Sequence, residues 1–86
     1  MMTTVYQKAI NKWGEPLQKA MAIEEMAELT QAIIKDLRGI TNNAEEEIAD
    51  VKIMIRQLEE MYDKELIKEW EESKLDRLEQ MLSKEG

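Results

Sequence analysis

Glu25 and Glu28 stand three residues apart in the run EEMAEL at 24–29, and Glu47 and Asp50 stand three apart in EEEIADV at 45–51. Residues three apart on an α-helix share a face, so each pair presents its carboxylate oxygens in one direction. If the two helices meet, four anions meet, and four anions in one place call for a multivalent cation. The chain has no histidine and no cysteine. That removes imidazole, thiolate and the commonest general base, and leaves oxygen as the only donor. Mg²⁺ suits such a set, with Mn²⁺ a possible substitute; a di-iron centre built on Glu-x-x-His does not.

Helical phase separates these carboxylates from the other acidic residues. At roughly 100° per residue, the apolar stripe of the 44–62 region is Ala44, Ile48, Val51, Met54, Ile55, Leu58, Met61 and Tyr62. Glu47 projects into the middle of that stripe and Asp50 lies at its edge. Glu25 has Met21, Ala22 and Leu29 as its neighbours at three and four residues, with Glu28 as the remaining one. Glu24, Glu45, Glu46, Glu59, Glu60, Glu71 and Glu72 read instead as solvated. A buried carboxylate is costly unless it is paired, hydrogen-bonded or protonated. A Lys or Arg partner would account for Glu47 alone, but not for two pairs of carboxylates.

The elements that must position these residues are helices, and their ends are marked. Thr3 or Thr4 caps a first helix that runs to Trp13, where Gly14 stops it, and Pro16 suits the first turn of a second. Gly39 ends the second helix. Asn43, with Glu46 three residues on, reads as a capping pair opening the third, with Glu45, Glu46 and Glu47 near its positive end. A boundary near Asp63 separates a fourth helix, since an apolar stripe carried through Tyr62, Leu66 and Trp70 at four-residue steps would drift around a straight helix. One kinked helix is the alternative there, and the residues past Leu82 are expected to fray. The fold class is therefore all-α, a bundle of about four helices in a single domain over 1–86, with the short Gly39–Asn43 turn closing the hairpin that brings the carboxylate pairs together.

Composition bounds the partners. The chain of 86 residues carries a formal net charge of -7, which argues against a nucleic-acid polymer as partner, because the phosphate backbone needs an excess of Lys and Arg. A small phosphorylated ligand stays open, its charge met by a metal. No apolar run suits a signal peptide or a membrane span, so no membrane partner is expected, and the cytoplasm is the expected compartment. A chain this short buries a modest core, and Val5, Ile10, Trp13, Ile67 and Trp70 are apolar surface that one chain cannot cover, so a homo-oligomer, dimer or tetramer, is expected. On the fourth helix Lys74 and Arg77 project into the stripe of Leu66, Ile67, Trp70, Leu78 and Met81. They either bind phosphate or snorkel over the bundle. Trp13 and Tyr6 either stack on a base or serve as core or subunit contacts.

The two runs together resemble the ExxE…ExxD signature of the all-α nucleoside triphosphate pyrophosphohydrolases, the MazG-like proteins and their relatives. The resemblance spans about residues 5–80 and is greatest to the short single-domain forms found in phages and prophages. It implies Mg²⁺-dependent hydrolysis of a (deoxy)nucleoside triphosphate to the monophosphate and diphosphate. Glu25, Glu28, Glu47 and Asp50 would be the metal-holding and catalytic residues, with Glu25 or Glu28 the candidate base. Lys74 and Arg77 match a basic K-x-x-R pair of the family and, with Trp13, are the substrate-binding candidates. The family also implies dimers or tetramers of helical bundles. Two alternatives stand beside this reading: a non-catalytic helical interaction module of the same fold, and a dUTPase-like nucleotide hydrolase.

Overall fold

The computed structural model describes residues 3–85, which form four α-helices: α1 Val5–Trp13, α2 Glu15–Leu37, α3 Ala44–Met61 and α4 Lys64–Glu85. No strand occurs among the described residues. The bundle class expected from the sequence is thus the architecture observed.

Local chemistry accounts for each boundary. Thr4 Oγ1 accepts the Gln7 amide at 3.1 Å and Gln7 Oε1 accepts the Thr4 amide at 3.1 Å, a reciprocal capping box. Gly14, at φ 89, turns the chain out of α1 while its N–H still reaches Ile10 O at 2.7 Å. Pro16 then occupies the first turn of α2. Gly39, at φ 72, follows the last turn of α2.

Two expectations at helix ends are corrected. Asn43 is the N-cap of α3, but it forms no capping box with Glu46. Its amide instead donates to Glu46 Oε1 at 3.0 Å and to Glu47 Oε1 at 2.9 Å, while Asn42 Oδ1 takes the Ala44 N–H at 3.0 Å. Both Nδ2 hydrogens of Asn43 go to charged acceptors, and its Oδ1 accepts from none of the first α3 amides. At the other end, α4 stays helical past Leu82 to Glu85, with Ser83 Oγ donating to Glu79 O at 2.9 Å. Between α3 and α4 the helix does break, at Tyr62 and Asp63, and Asp63 Oδ1 accepts the Leu66 N–H at 3.1 Å as the new helix opens.

The hairpin of α2 and α3 is the centre of the molecule; α1 packs on both of its helices and α4 meets α3 alone. The seam residues of α2 are Gln18, Ala22, Glu25, Leu29 and Ala32, alternating steps of four and three. Facing them on α3 are Glu47, Met54, Gln57, Leu58 and Met61. Among the described residues only Ala22, Ala32 and Met54 are buried apolar residues. Ile48 and Ile55, assigned to the same stripe by phase, are 44% and 41% exposed, because the stripe is wider than one facing helix can cover. Glu60 is also placed differently than its solvated reading implies. It is half-buried, accepting from Gln7 Nε2 at 3.3 Å and Lys64 Nζ at 2.9 Å, and so ties both α1 and α4 to α3. No described helix is long and apolar enough to cross a membrane.

Candidate metal centre

The antiparallel register of the hairpin sets Glu25 across from Asp50 and Glu28 across from Glu47. Glu25, Glu47 and Asp50 each offer a carboxylate oxygen such that all three oxygens lie within 4.8 Å of one another. Glu28 is near enough that its charge acts on both Glu25 and Glu47. The hairpin thus groups Glu25, Glu47 and Asp50, while Glu28, expected as a fourth member, stands beside them and outside that cluster. Their settings differ: Glu47 is buried at 7% exposure, Glu25 and Asp50 are half-buried, and Glu28 is open to solvent.

Burial and mutual repulsion act on this group in the same direction. Loss of solvation raises the Glu25 carboxyl above its ordinary value, and the charges of Glu28, Asp50 and Glu47 add to that. Glu47 is raised as well, first by burial and then by Glu28, against the opposing hydrogen bond from Asn43. Glu25 Oε2 and Glu47 Oε2 are buried with no hydrogen-bond partner. The ion pairs among the described residues, Lys19–Glu15, Arg56–Glu59 and Lys64–Glu60, all lie elsewhere. A salt bridge therefore does not account for Glu47 within this chain. Two orphaned carboxylate oxygens in a cluster of four anions are a donor set that fits a hard divalent cation.

The basic and aromatic candidates stand apart from this cluster within one chain. Lys74 and Arg77 lie on α4, which packs only on α3. Lys74 lines an apolar groove with Leu66, Trp70 and Leu78, and its Nζ lies 5.7 Å from the Trp70 ring centroid. Arg77 is exposed. Trp13 is the last residue of α1, 52% exposed, with Lys12 Nζ 5.2 Å from its ring centroid. Tyr6 lines a polar groove between α1, α3 and α4 that also holds Arg56, Lys64 and Lys68.

Two residues of this seam and one at the α3 N-cap carry no charge and so are not marked by it. Gln18 is 1% exposed and Gln57 6%, and their amides donate only to the Met21 and Met54 thioethers, at 3.6 and 3.9 Å. Gln57 Oε1 is buried without a partner. Gln18 lies one heptad before Glu25, and Gln57 one heptad after Asp50, so the signal was phase: both sit in the carboxylate seam about 10 Å along the helix axes. Asn43, the hydrogen-bond donor to Glu47, reads in sequence as a cap. In comparisons with known protein families, curated proteins and solved structures, no match to this chain is found.

Proposed function

We propose that the protein is a divalent-metal-dependent hydrolase that converts a (deoxy)nucleoside triphosphate to the monophosphate and diphosphate. The observation that carries the metal-dependent part is the convergence of Glu25, Glu47 and Asp50 oxygens within 4.8 Å, two of these carboxylates having a buried oxygen without a partner. The nucleotide part rests on the resemblance of EEMAEL and EEEIADV to the MazG-like signature. A nucleotide substrate, a homo-oligomeric state and a cytoplasmic setting belong to the same proposal.

Glu25, Glu47 and Asp50 would hold Mg²⁺, or Mn²⁺ in its place, with Glu28 as the fourth carboxylate. When bound, such a cation supplies positive charge to a triphosphate and lowers the pKa of a water. The residues of the chain do the rest. Asn43 Nδ2, donating to Glu47 Oε1, fixes that carboxylate on its rotamer and leaves Oε2 free. Glu25 or Glu28 would take the proton of the attacking water: Glu25 has a raised proton affinity, and Glu28 is the carboxylate open to solvent. The apolar neighbours Ala22 and Met54 exclude water from one side of the cluster, which strengthens every charge interaction within it.

Incubation with a panel of nucleotides and Mg²⁺, followed by product identification, tests this reading. Diphosphate and the monophosphate are expected. Orthophosphate as the product would place the scissile bond elsewhere, and no turnover of any nucleotide would favour the non-catalytic module.

A further inference from the structure

Gln18 and Gln57 repeat the placement of the carboxylates one heptad along the seam. Gln18 precedes Glu25 by seven residues and Gln57 follows Asp50 by seven. Because α2 and α3 run antiparallel, the two steps lead in the same direction, and a heptad changes helical phase by only about 20°. The carboxamides therefore stand across from each other as Glu25 and Asp50 do, about 10 Å further along the hairpin.

Their surroundings leave them unsatisfied. Gln18 is 1% exposed and Gln57 6%. The Nε2 of each donates only to a thioether of its own helix, Met21 or Met54, and a thioether is a weak acceptor. Gln57 Oε1 is buried and accepts from nothing. A seam built for packing alone would carry apolar side chains at both positions, because a buried carboxamide without partners is a cost. Two carboxamides with spare donors and a spare acceptor form a polar edge that a ligand of complementary edge can satisfy.

What lies over this rung is α1. Glu28 and Asp50 each follow a seam carboxylate by three residues, about 60° short of a full turn, so both stand on one side of the hairpin. Gln57, in phase with Asp50, faces that side too. At Asp50 the side is open enough to leave the carboxylate half-buried. At Gln57 it is closed, because α1 crosses there from α3 to α2. Gln7 Nε2 donates to Glu60, three residues past Gln57, and Trp13 leads through Gly14 into Glu15, three residues before Gln18. The crossing helix is lightly held. No residue of α1 is buried, and Gly14 at φ 89 joins it to α2. Among the described residues, Gln7 to Glu60 is its side-chain hydrogen bond to the hairpin.

We infer that the Gln18–Gln57 rung is the subsite for the base of the nucleotide, entered when α1 lifts, and that Gln57 reads the base edge. This rests on the nucleotide reading above and supplies the other end of the same site. A nucleotide whose phosphates lie on a cation at Glu25, Glu47 and Asp50 extends its base over a distance comparable with one heptad of the hairpin. Bases carry hydrogen-bond donors beside acceptors on one edge, and those are the groups that Gln57 Oε1 and the two Nε2 atoms lack. Proteins that enclose a base read that edge by hydrogen bonds and pack its faces between apolar side chains. Met21 and Met54, the present partners of the two amides, place polarisable apolar side chains beside the rung.

Isothermal titration calorimetry in Mg²⁺ is the test, with non-hydrolysable deoxynucleoside triphosphate analogues as ligands and inorganic tripolyphosphate as the base-free probe. Wild type is expected to bind at least one analogue about tenfold tighter than tripolyphosphate, the size of effect that one or two hydrogen bonds give. Gln57→Met keeps the length of the side chain and removes its amide. That variant is expected to keep the wild-type affinity for tripolyphosphate, lose the margin for the analogue, and melt no lower than wild type. A variant that retains the margin overturns the inference, as does one that weakens both ligands alike, which would make Gln57 a support of the carboxylate cluster. Equal wild-type affinity for analogue and tripolyphosphate overturns it too, and leaves the metal and phosphate reading standing; binding of neither overturns both. If Gln57→Met fails to fold, hydrogen exchange on wild type decides: the analogue, and not tripolyphosphate, should change amide protection in α1, and an α1 indifferent to the analogue overturns the base subsite.

Discussion

Replacing Glu47 by Gln keeps the volume of the side chain and removes its charge, which makes it the most direct probe of the carboxylate cluster. In wild type Glu47 accepts from Asn43 Nδ2 at 2.9 Å and leaves Oε2 buried without a partner. Gln retains an oxygen for Asn43 and adds an amide that can donate toward Glu28, the neighbour whose charge raises Glu47. The metal-free variant should therefore melt no lower than metal-free wild type. Its response to metal should differ sharply. A ligand that binds only the folded state at a hundredfold excess over its Kd stabilises it by about 2.7 kcal/mol, and for a domain of this size each kcal/mol moves the melting temperature by about 4–8 °C. Wild type should thus gain 10 °C or more, on the order of that product, in saturating Mg²⁺ or Mn²⁺, and Glu47→Gln close to nothing. Loss of an outer partner of a metal site costs about 10–100-fold in activity or affinity, and loss of a direct ligand should cost no less. Differential scanning fluorimetry with and without metal, alongside diphosphate release, reads both effects, with exposed Glu45→Gln as the control that changes neither. Full activity in Glu47→Gln, or a metal-free variant that unfolds, would refute the metal-site reasoning and leave Glu47 a structural residue.

Without metal, Glu25 and Glu47 bind protons more tightly in the folded state than their ordinary value of 4.5. The folded state then holds more protons than the unfolded one above that value, so stability falls as pH rises through the raised pKa values. Melting in EDTA should be higher near pH 5 than near pH 8, and saturating Mg²⁺ should remove the difference; a metal-free melting temperature that climbs steadily across that range would contradict the assignment. Glu60 works in the opposite sense: the Lys64 hydrogen bond holds it low, so its contribution is present above 4.5 and lost as pH falls through the depressed value. Glu60→Ala removes the acceptor of both Gln7 and Lys64, and hydrogen exchange should show faster amide exchange in α1 and the first turn of α4; unchanged rates would mean that packing alone holds those helices. Gly14→Ala meets only Pro16 Cδ at 3.9 Å but forces a Cβ onto φ 89, which should cost about 1–3 kcal/mol and be visible as a lower melting temperature.

The pairing of the carboxylates was legible because it depends on quantities a sequence carries: spacing, phase and the position of stop residues. Gly14, Gly39 and the Tyr62–Asp63 break fix the lengths of α2 and α3, and those lengths fix the register that sets Glu25 across from Asp50. What escaped was decided by competition between partners. Asn43 is a good cap by residue type, yet two carboxylates one turn on draw its amide away from the backbone. Glu60 is one of several glutamates in its segment, and only the arrival of Gln7 from α1 and Lys64 from α4 distinguishes it from Glu59. The width of an apolar stripe likewise says that a face is covered, not by which chain. Ile48 and Ile55 belong to the α3 stripe by phase but lie outside what α2 alone can bury.

The seam of this hairpin is unusually polar for the interior of a small fold. Along it lie two carboxylate pairs, a layer of Ala22 and Met54, and the Gln18 and Gln57 carboxamides, whose amides find only thioether sulfurs. A buried polar atom without a partner is a cost to the fold, and Glu25 Oε2, Glu47 Oε2 and Gln57 Oε1 are such atoms. Against that cost stand Ala22, Ala32 and Met54, the buried apolar side chains among the described residues. Met26, Ile33, Ile48 and Ile55 are exposed and stand one residue from Glu25, Ala32, Glu47 and Met54, so a second copy of the chain that covered them would brace the backbone that holds the carboxylates. A substitution such as Ile48→Lys should then loosen the carboxylate cluster as well as the assembly, and Glu47→Gln should disturb the cluster while leaving the assembly intact. Measuring metal response and mass on both variants separates the two effects, and a Glu47→Gln protein that dissociates would show that they are not separable.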